Sequence, residues 1–421
     1  MSPRRALTLL AVAQAAVLVS WDAGFGPAAS SAQPSVGTAV FGSPRAPLLA
    51  SPTGPIERVS GTGQLEAAVA RLTSGTTILL APGEYRLTSE LVIRGVHDVA
   101  VRGATGRPED VVIRGSGMNR SGINVLVHVM QARDVLLADL SLGDVFYHPL
   151  QLHGEAGADR VRVYNVRLFD AGQQFIKASV DLTRPDGVDE TTVEYSVFEY
   201  TRTGPQSGYT AGVDILYGAN WQVRRNLFRN IRAPQGVPAA ILAWNGARNI
   251  VTDRNTFIDC ARAIVYGLQP QPEFGHSNHG GTISNNMIAV TPGTSADAGI
   301  SAWDSPNTRI VHNTVVLNGA FPHAIEFRFP GTTGVEIANN LTDGSIVSRD
   351  GGRAVLSGNA TATPDMFVSA ATGDLHLTPR ARAGLGSAVR LPNPGPDWDG
   401  DPRPAEREPD PGADQIAEHQ P

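Results

Sequence analysis

The chain has 421 residues, of which 41% are hydrophobic and 18% are charged, and its net charge is −6 at pH 7. This apolar fraction is sufficient for a substantial core, while an acidic balance without a basic stripe argues against nucleic acid as a partner. The single cysteine, Cys260, excludes an internal disulfide framework and a cysteine-based zinc site. The 45 glycines and 30 prolines, with almost no long helical pattern, indicate many short strands and turns.

The first residues have the pattern of an export signal. Arg4 and Arg5 precede an apolar run from Ala6 to Val19, and small residues follow as far as Ala32. This predicts a signal peptide over residues 1–32, and the apolar run is short for a membrane span. We therefore expect a secreted or periplasmic protein without membrane insertion. Residues 33–55, rich in Pro, Ser, Ala and Gly, are predicted to be a linker.

Residues 64–72 carry the one convincing helical pattern, with apolar side chains at positions 65, 68, 69 and 72. Residues 76–83 then open a region of short strands. We expect the helix to cap the open edge of the first turn of this β region.

Short strands that end in an asparagine-containing turn recur along the chain. The asparagines are Asn226, Asn255, Asn286, Asn313 and Asn340, spaced by 29, 31, 27 and 27 residues. A period of this size without helices predicts an all-β fold, a right-handed parallel β-helix (a β-solenoid) in which each repeat is one coil. We assign it to residues 56–375, followed by an irregular, Pro-rich C-terminal tail over residues 376–421. The asparagines are interpreted as a hydrogen-bonded ladder of stacked turns, not as a site.

A second strand precedes each asparagine turn, and its first and third residues are mostly apolar. If these point inward, the second and fourth residues point out of the coil. The outward columns are then Gln151, Lys177, Asp214, Leu242, Val265, Ser301 and Glu326, and His153, Ser179, Leu216, Trp244, Gly267, Trp303 and Arg328. Adjacent coils lie about 4.8 Å apart, so neighbours in a column can touch.

Lys177 is the only lysine in the chain; the other strong cations are arginines. A guanidinium cannot lose its proton in a protein, whereas an ammonium can, so a lysine that acts as a base is not replaceable by arginine. This count makes Lys177 a candidate functional residue. The alternative is that Lys177 is a chance remnant that pairs with a carboxylate.

The predicted outward face combines tryptophans with charged groups, which suits a long polar polymer. Aromatic faces stack on sugar rings, and Arg or Lys binds carboxylates. We therefore predict an acidic polysaccharide as the partner of a monomeric protein, with Gln151, Asp214, Trp244, Trp303, Glu326 and Arg328 as binding residues. The alternative for Trp244 and Trp303 is that they pack under loops such as residues 269–278.

The coil pattern and the segment Phe175-Ile176-Lys177-Ala178-Ser179 resemble the right-handed parallel β-helix polysaccharide lyases, chiefly the chondroitinase B and alginate lyase group. The Lys-Ala-Ser piece also resembles the β-helix pectate lyases, and the resemblance covers roughly residues 56–375. It implies that Lys177 removes the proton α to a uronate carboxylate. It also implies an arginine as acid, for which Arg202 has a comparable offset; Tyr209 and His153 are alternative proton donors.

The same resemblance implies that a Ca²⁺ ion or basic side chains neutralise the substrate carboxylate. The chain departs from the family here, because it has no clear match to the acidic calcium cluster around the lysine. Asp214, next to Lys177 in the outward column, would hold the lysine protonated unless a metal or another cation occupies it.

Two further classes of function stay open. A glycoside hydrolase would need a pair of carboxylates, and Asp214 and Glu326 lie four coils apart, roughly 19 Å, which is too far for such a pair. Asp214 with Glu199 remains a possible pair. The non-enzymatic alternative is a carbohydrate-binding surface protein, and solenoids as a class do not decide between these functions.

Overall fold

The computed structural model describes residues 42, 45–202, 204–205, 207–386, 388–404 and 406–416. The predicted signal peptide and residues 33–41, 43 and 44 of the predicted linker lie outside these residues, so export stays a prediction. Within the described ranges, the helices are too short or too polar to cross a lipid bilayer.

The chain forms many short strands. The first are β1 (Ile56–Val59), β2 (Thr77–Leu80), β3 (Gly83–Arg86), β4 (Leu91–Arg94), β5 (His97–Gly103), β6 (Val111–Arg114), β7 (Val125–Met130), β8 (Arg133–Val145), β9 (His148–His153), β10 (Asp159–Ala171), β11 (Ile176–Ser179) and β12 (Thr192–Glu194). They continue with β13 (Val197–Glu199), β14 (Ala211–Leu216), β15 (Gln222–Arg224), β16 (Leu227–Arg229), β17 (Ala239–Trp244), β18 (Ala247–Arg248), β19 (Val251–Asp253), β20 (Thr256–Ile258), β21 (Arg262–Tyr266), β22 (Asn278–His279), β23 (Thr282–Ser284) and β24 (Met287–Ala289).

The last strands are β25 (Ile300–Trp303), β26 (Arg309–Val311), β27 (Thr314–Val316), β28 (His323–Arg328), β29 (Val335–Ala338), β30 (Leu341–Thr342), β31 (Ser345–Arg349), β32 (Ala354–Ser357), β33 (Ala360–Thr361), β34 (Phe367–Ser369) and β35 (Asp374–Leu377). The described α-helix is α1 (Thr62–Ala70), and short 3-10 helices span Pro108–Asp110, Gly154–Ala156, Pro272–Phe274, Pro364–Met366, Ala370–Thr372 and Pro379–Ala383.

The strands stack in three parallel ladders, which makes the fold a parallel β-helix and confirms the fold class. The first ladder runs β1-β2-β5-β8-β10-β12-β15-β19-β23-β26-β29-β32, and the second runs β3-β6-β8-β10-β13-β16-β20-β24-β27-β30-β33. The long strands β8 and β10 belong to both. The third ladder has ten strands in the order β4-β7-β9-β11-β14-β17-β21-β25-β28-β31.

The third ladder has the register that the hydrophobic alternation predicts. Its outward column reads Val92, His128, Gln151, Lys177, Asp214, Leu242, Val265, Ser301, Glu326 and Val347 through successive pairs. The flanking residues of each strand, such as Ile176 and Ala178, join the hydrophobic core. The predicted column is therefore confirmed, and it extends two strands further toward the N-terminus.

The repeated asparagines form a ladder at the corner between the first and second ladders. Each side-chain amide donates to the Oδ1 atom of the next asparagine at 2.9–3.0 Å, from Asn226 through Asn255, Asn286, Asn313 and Asn340 to Asn359. The residue before each one, for example Arg254 before Asn255, has positive φ. The structural interpretation of these asparagines is confirmed, although the left-handed turn position precedes the asparagine.

The two ends of the solenoid differ in structure. Helix α1 buries Leu65, Ala68 and Val69 in the core, and its capping of the first coil stays a prediction. At the other end the parallel ladders stop at Thr361, and β35 pairs antiparallel with β34, so it adds no further coil. The C-terminal tail then packs on the outer side of the second ladder, where Met287, Val316 and Leu341 share an apolar cluster with Ala413 and Ile416.

Candidate functional site

Lys177 lies at the centre of a cluster on the outward face of the third ladder. Its Nζ atom donates to Asp214 Oδ2 at 2.6 Å and to the Tyr209 hydroxyl at 2.7 Å. Lys177 and Asp214 are direct neighbours because β11 pairs with β14, while Tyr209 comes from the loop that precedes β14. The prediction that Lys177 and Asp214 share one face is confirmed.

Asp214 is the common acceptor of this cluster. Its Oδ2 atom also accepts from the Tyr209 hydroxyl at 2.5 Å, and its Oδ1 atom accepts from Trp244 Nε1 at 2.9 Å. The Asp214 side chain is fully buried, and the Lys177 side chain is only 8% exposed. A buried carboxylate with three hydrogen-bond donors, one of which is a cation, is well satisfied, so the cluster is a preorganised hydrogen-bond network.

Tyr209 forms the outer side of the cluster and is half-buried. The Lys177 ammonium lies 4.7 Å from the centroid of its ring, and Trp244 packs edge-on against the same ring. Burial, together with the negative charge of Asp214, raises the pKa of Tyr209 well above its usual value. Tyr209 therefore keeps its proton at neutral pH and is the donor in its hydrogen bond to Asp214.

A buried histidine supports the cluster from the neighbouring coil. His148 Nδ1 lies 3.0 Å from the Gln174 carbonyl, and the Gln174 side chain donates to the Tyr209 carbonyl at 3.1 Å. Burial lowers the pKa of His148 to about 3, and the positive charge of Lys177 adds to this effect. His148 is therefore neutral at pH 7, and its contact with the carbonyl holds the Gln174 backbone, three residues before Lys177.

His153 belongs to a second network on the same face. Its Nε2 atom lies 2.9 Å from His128 Nδ1, and the two rings lie nearly end to end with centroids 5.2 Å apart. His128 Nε2 contacts Glu90 at 3.0 Å, and His153 Nδ1 contacts Glu155 at 2.8 Å. The hydrogen bond from His128 lowers the pKa of Glu90 below its usual value.

The two networks are neighbours along the face. Gln151 lies next to Lys177 in the register and contacts Ser179, which donates to Glu155 at 2.9 Å. The sequence analysis did not include His128 or Glu90, because its predicted outward columns begin at Gln151 and His153. The signal was available, since Val125-Leu126-Val127-His128-Val129 is a buried strand pattern with a histidine at the outward position.

The structure does not bring Arg202 to Lys177. Its side chain is 52% exposed and pairs with Asp144 and with Asp170, at a corner between the second and third ladders. There it lines a shallow cavity of about 460 Å³ together with Arg120. The offset along the chain does not place Arg202 near Lys177, because the segment 180–191 and strands β12 and β13 lie between the two positions.

Trp303, Glu326 and Arg328 form a separate buried cluster toward the C-terminal end of the face. Trp303 is 2% exposed, with the guanidinium groups of Arg262 and Arg328 at 4.9 and 5.4 Å from the centroid of its ring. Glu326 is fully buried and accepts from Arg349 at 2.9 Å. These side chains point outward as expected, but Trp303 and Glu326 are buried and contact arginines, as the alternative interpretation of Trp303 anticipated. Their role in sugar binding therefore stays a prediction.

The carboxylates also lack the arrangement of a glycosidase pair. Asp214 and Glu326 are four strand steps apart in the register, roughly 19 Å. Glu199 lies on β13 of the second ladder, where it pairs with Arg167 and Arg229. Neither pair can flank one glycosidic bond, since hydrolysis needs carboxyl groups within about 10 Å on the same cleft.

The described residues near Lys177 do not fit the calcium site that the family resemblance implies. The carboxylates there, Glu90, Glu155 and Asp214, are each engaged by a histidine or by Lys177. The described group of His, Asp and Glu residues whose ligand atoms do come together is His376, Asp399 and Asp414, within 4.8 Å of one another in the C-terminal region. A Ca²⁺ requirement therefore stays a prediction without support from the site.

No protein-family model matches the chain, and no curated protein does. Among solved structures, it is similar to the A-module of a mannuronan C-5 epimerase from Azotobacter vinelandii, with 15% identity, 72% of this chain and 94% of that chain covered, and a TM-score of 0.44. A pectate lyase matches with 13% identity, 83% and 90% coverage and the same TM-score. A surface adhesin of Streptococcus pneumoniae matches with 11% identity, 72% and 88% coverage and again 0.44. Likeness at this level does not bear on activity.

Proposed function

We propose that this protein is a polysaccharide lyase that cleaves a uronate-containing polysaccharide by β-elimination at the Lys177 cluster. The observation that carries the proposal is the contact between Lys177 Nζ and the Tyr209 hydroxyl at 2.7 Å, with Asp214 accepting from both. A base and an acid are thus adjacent on the outward face of a solenoid.

The reaction needs a base for the proton on C5 of the uronate and an acid for the leaving oxygen on C4. In our proposal Lys177 takes the C5 proton, the C4–O bond breaks, and Tyr209 gives its proton to the departing oxygen. A C4=C5 double bond forms in the new non-reducing end. Each such proton transfer contributes roughly 10²–10⁴-fold to the rate.

Lys177 must lose its own proton before it can act, and Asp214 is the acceptor at 2.6 Å. A polymer that covers the face removes water from this buried ion pair, which disfavours the two separated charges. The neutral pair, an amine beside a carboxylic acid, then becomes accessible. Asp214 serves in this step as a proton reservoir, not as a nucleophile.

Substrate positioning falls to the residues around the cluster. Gln151 lies beside Lys177 in the register and is half-buried, and its amide can donate to the uronate carboxylate. Trp244 is also half-buried and lies two strand steps beyond Lys177, where its ring can support an adjoining sugar. A hydrogen-bond donor at the carboxylate stabilises the charge that develops there.

Lys177→Arg is the sharpest test, because arginine keeps the charge and the hydrogen bond to Asp214 but cannot become a base. We expect elimination, followed by the ultraviolet absorbance of the unsaturated uronate, to fall roughly 1000-fold. Circular dichroism and the unfolding midpoint of the variant should match those of the parent. A near-normal rate of elimination by Lys177→Arg would show that Lys177 is not the base.

Tyr209→Phe tests the acid separately. It keeps the ring over Lys177 but removes the proton donor, so we expect kcat to fall roughly 100-fold or more with little change in KM. Tyr195→Phe is the matched control, since Tyr195 lies at the turn between β12 and β13, between the first and second ladders. If no uronate polymer gives an unsaturated product, elimination is excluded. New reducing ends without ultraviolet absorbance would indicate a hydrolase. Binding of a polymer without cleavage would indicate a carbohydrate-binding protein.

A further inference from the structure

The base and the acid of the proposed reaction lie on the same side of any bound sugar. Lys177 Nζ and the Tyr209 hydroxyl are 2.7 Å apart and both contact Asp214 Oδ2. The inner side of the strand is filled, because Ile176 and Ala178 are fully buried in the core. A substrate therefore reaches both atoms from the outer side of the third ladder.

This closeness excludes a sandwich of the sugar ring between base and acid. Two groups that hold a sugar ring between them must be about 7 Å apart, which is twice the carbon contact distance of about 3.5 Å. The 2.7 Å separation is far too small for that. Only a substrate whose C5–H bond and C4–O bond project from the same face of the ring can present both to this pair.

Uronates divide into two classes by this criterion. In D-glucuronate and D-mannuronate, the hydrogen on C5 and the oxygen on C4 lie on the same face of the ring. In D-galacturonate, L-guluronate and L-iduronate they lie on opposite faces. We infer that this chain performs syn elimination and acts on D-mannuronate or D-glucuronate residues; the inference rests on the proposed function and adds the configuration of its substrate.

The proposed step balances without a co-reactant. The C5 proton moves to Lys177 Nζ, the electrons of the C–H bond form the C4=C5 bond, and the electrons of the C4–O bond leave with the oxygen. Tyr209 protonates that oxygen and becomes a phenolate. Because Lys177 contacts Tyr209 directly, the captured proton can pass from Nζ to the phenolate and restore both groups.

The test compares polymers that differ in this configuration. Purified polymannuronate and glucuronan represent the syn class, and polyguluronate and polygalacturonate represent the anti class. We expect unsaturated product from at least one syn polymer, at a kcat/KM at least 100-fold above that for either anti polymer. Lys177→Arg and Tyr209→Phe should both lose activity on that polymer.

The outcomes separate this inference from the proposed function. Product from polyguluronate or polygalacturonate alone, or equal rates on both classes, would overturn the syn assignment while elimination stands. No unsaturated product from any of the four polymers would overturn elimination itself. If only one of the two variants loses activity, the base and the acid are not this pair, and the configurational argument fails with them.

Discussion

At the scale of single residues, the outward face of the third ladder is mostly closed to solvent. Asp214, Ser301 and Glu326 are fully buried although they point away from the core. Charged groups in such positions are stable only when they are paired, and here Lys177 pairs with Asp214 and Arg349 with Glu326. The half-buried Tyr209 and Trp244 mark where the Lys177 cluster reaches the surface.

His148 gives this region a predicted acid sensitivity. Its pKa is about 3 in the folded protein against 6.5 for an unperturbed histidine, so the unfolded chain binds the extra proton first. Stability is therefore complete above pH 6.5 and declines as the pH falls toward 3. At pH 4.5 this one group should lower the free energy of unfolding by about 2–3 kcal/mol.

His148→Asn isolates that contribution, because the asparagine amide can replace Nδ1 as donor to the Gln174 carbonyl. We expect the urea midpoint of the variant to lie below that of the parent at pH 7 and to drop less between pH 7 and pH 4.5. An identical drop of the urea midpoint in both proteins would show that His148 does not contribute to acid unfolding.

At the scale of elements, the sequence predicted the strand register well and the contacts above the strands poorly. The outward column from Gln151 to Glu326 follows from alternation, because inward positions such as Ile176 must be apolar. What covers a strand depends on loops of irregular length, which carry no period. Alternation could therefore offer the burial of Trp303 only as an alternative, and its contacts with Arg262 and Arg328 do not follow from the pattern.

The asparagine ladder yields a prediction about stability. Asn286 Oδ1 accepts from the backbone and the side chain of Asn255, and its amide donates to the Thr252 carbonyl and to Asn313. All four contacts are buried, so their loss leaves unpaired polar groups inside the coil. Asn286→Ala should lower the free energy of unfolding by about 3–5 kcal/mol.

Asn119→Ala is the control for this change, because Asn119 is exposed and lies in a loop between β6 and β7. We expect it to alter stability by no more than about 0.5 kcal/mol. Chemical unfolding followed by far-ultraviolet circular dichroism measures both. If the two variants were equally stable, the ladder would not contribute to the stacking of the coils.

At the scale of the whole molecule, the tail and the candidate site use different sides of the solenoid. The buried Arg403 donates to Asn285 Oδ1 at 2.7 Å and to the Gly412 carbonyl, and Ala413 N donates to Thr314 Oγ1 at 2.9 Å. Asn285 lies at the turn between β23 of the first ladder and β24 of the second, and Thr314 lies in β27 of the second ladder. In a solenoid each coil mainly contacts its neighbours, so a change on one side should be felt locally.

Removal of residues 391–421 should therefore reduce stability without changing the chemistry at Lys177. The truncation exposes the apolar side chains of Met287 and Leu341, which pack with Ala413 and Ile416 in the full chain, and it leaves Asn285 without Arg403. We expect a lower unfolding temperature and increased binding of a hydrophobic dye. The rate on the preferred polymer, measured well below that temperature, should stay within about twofold of the parent, because contacts on separate sides of a fold contribute independently.

Lys177→Arg should give the opposite result, with normal stability and lost activity. A truncated protein that is folded but inactive would show that the tail contributes to the site, contrary to the separation of the two sides described above.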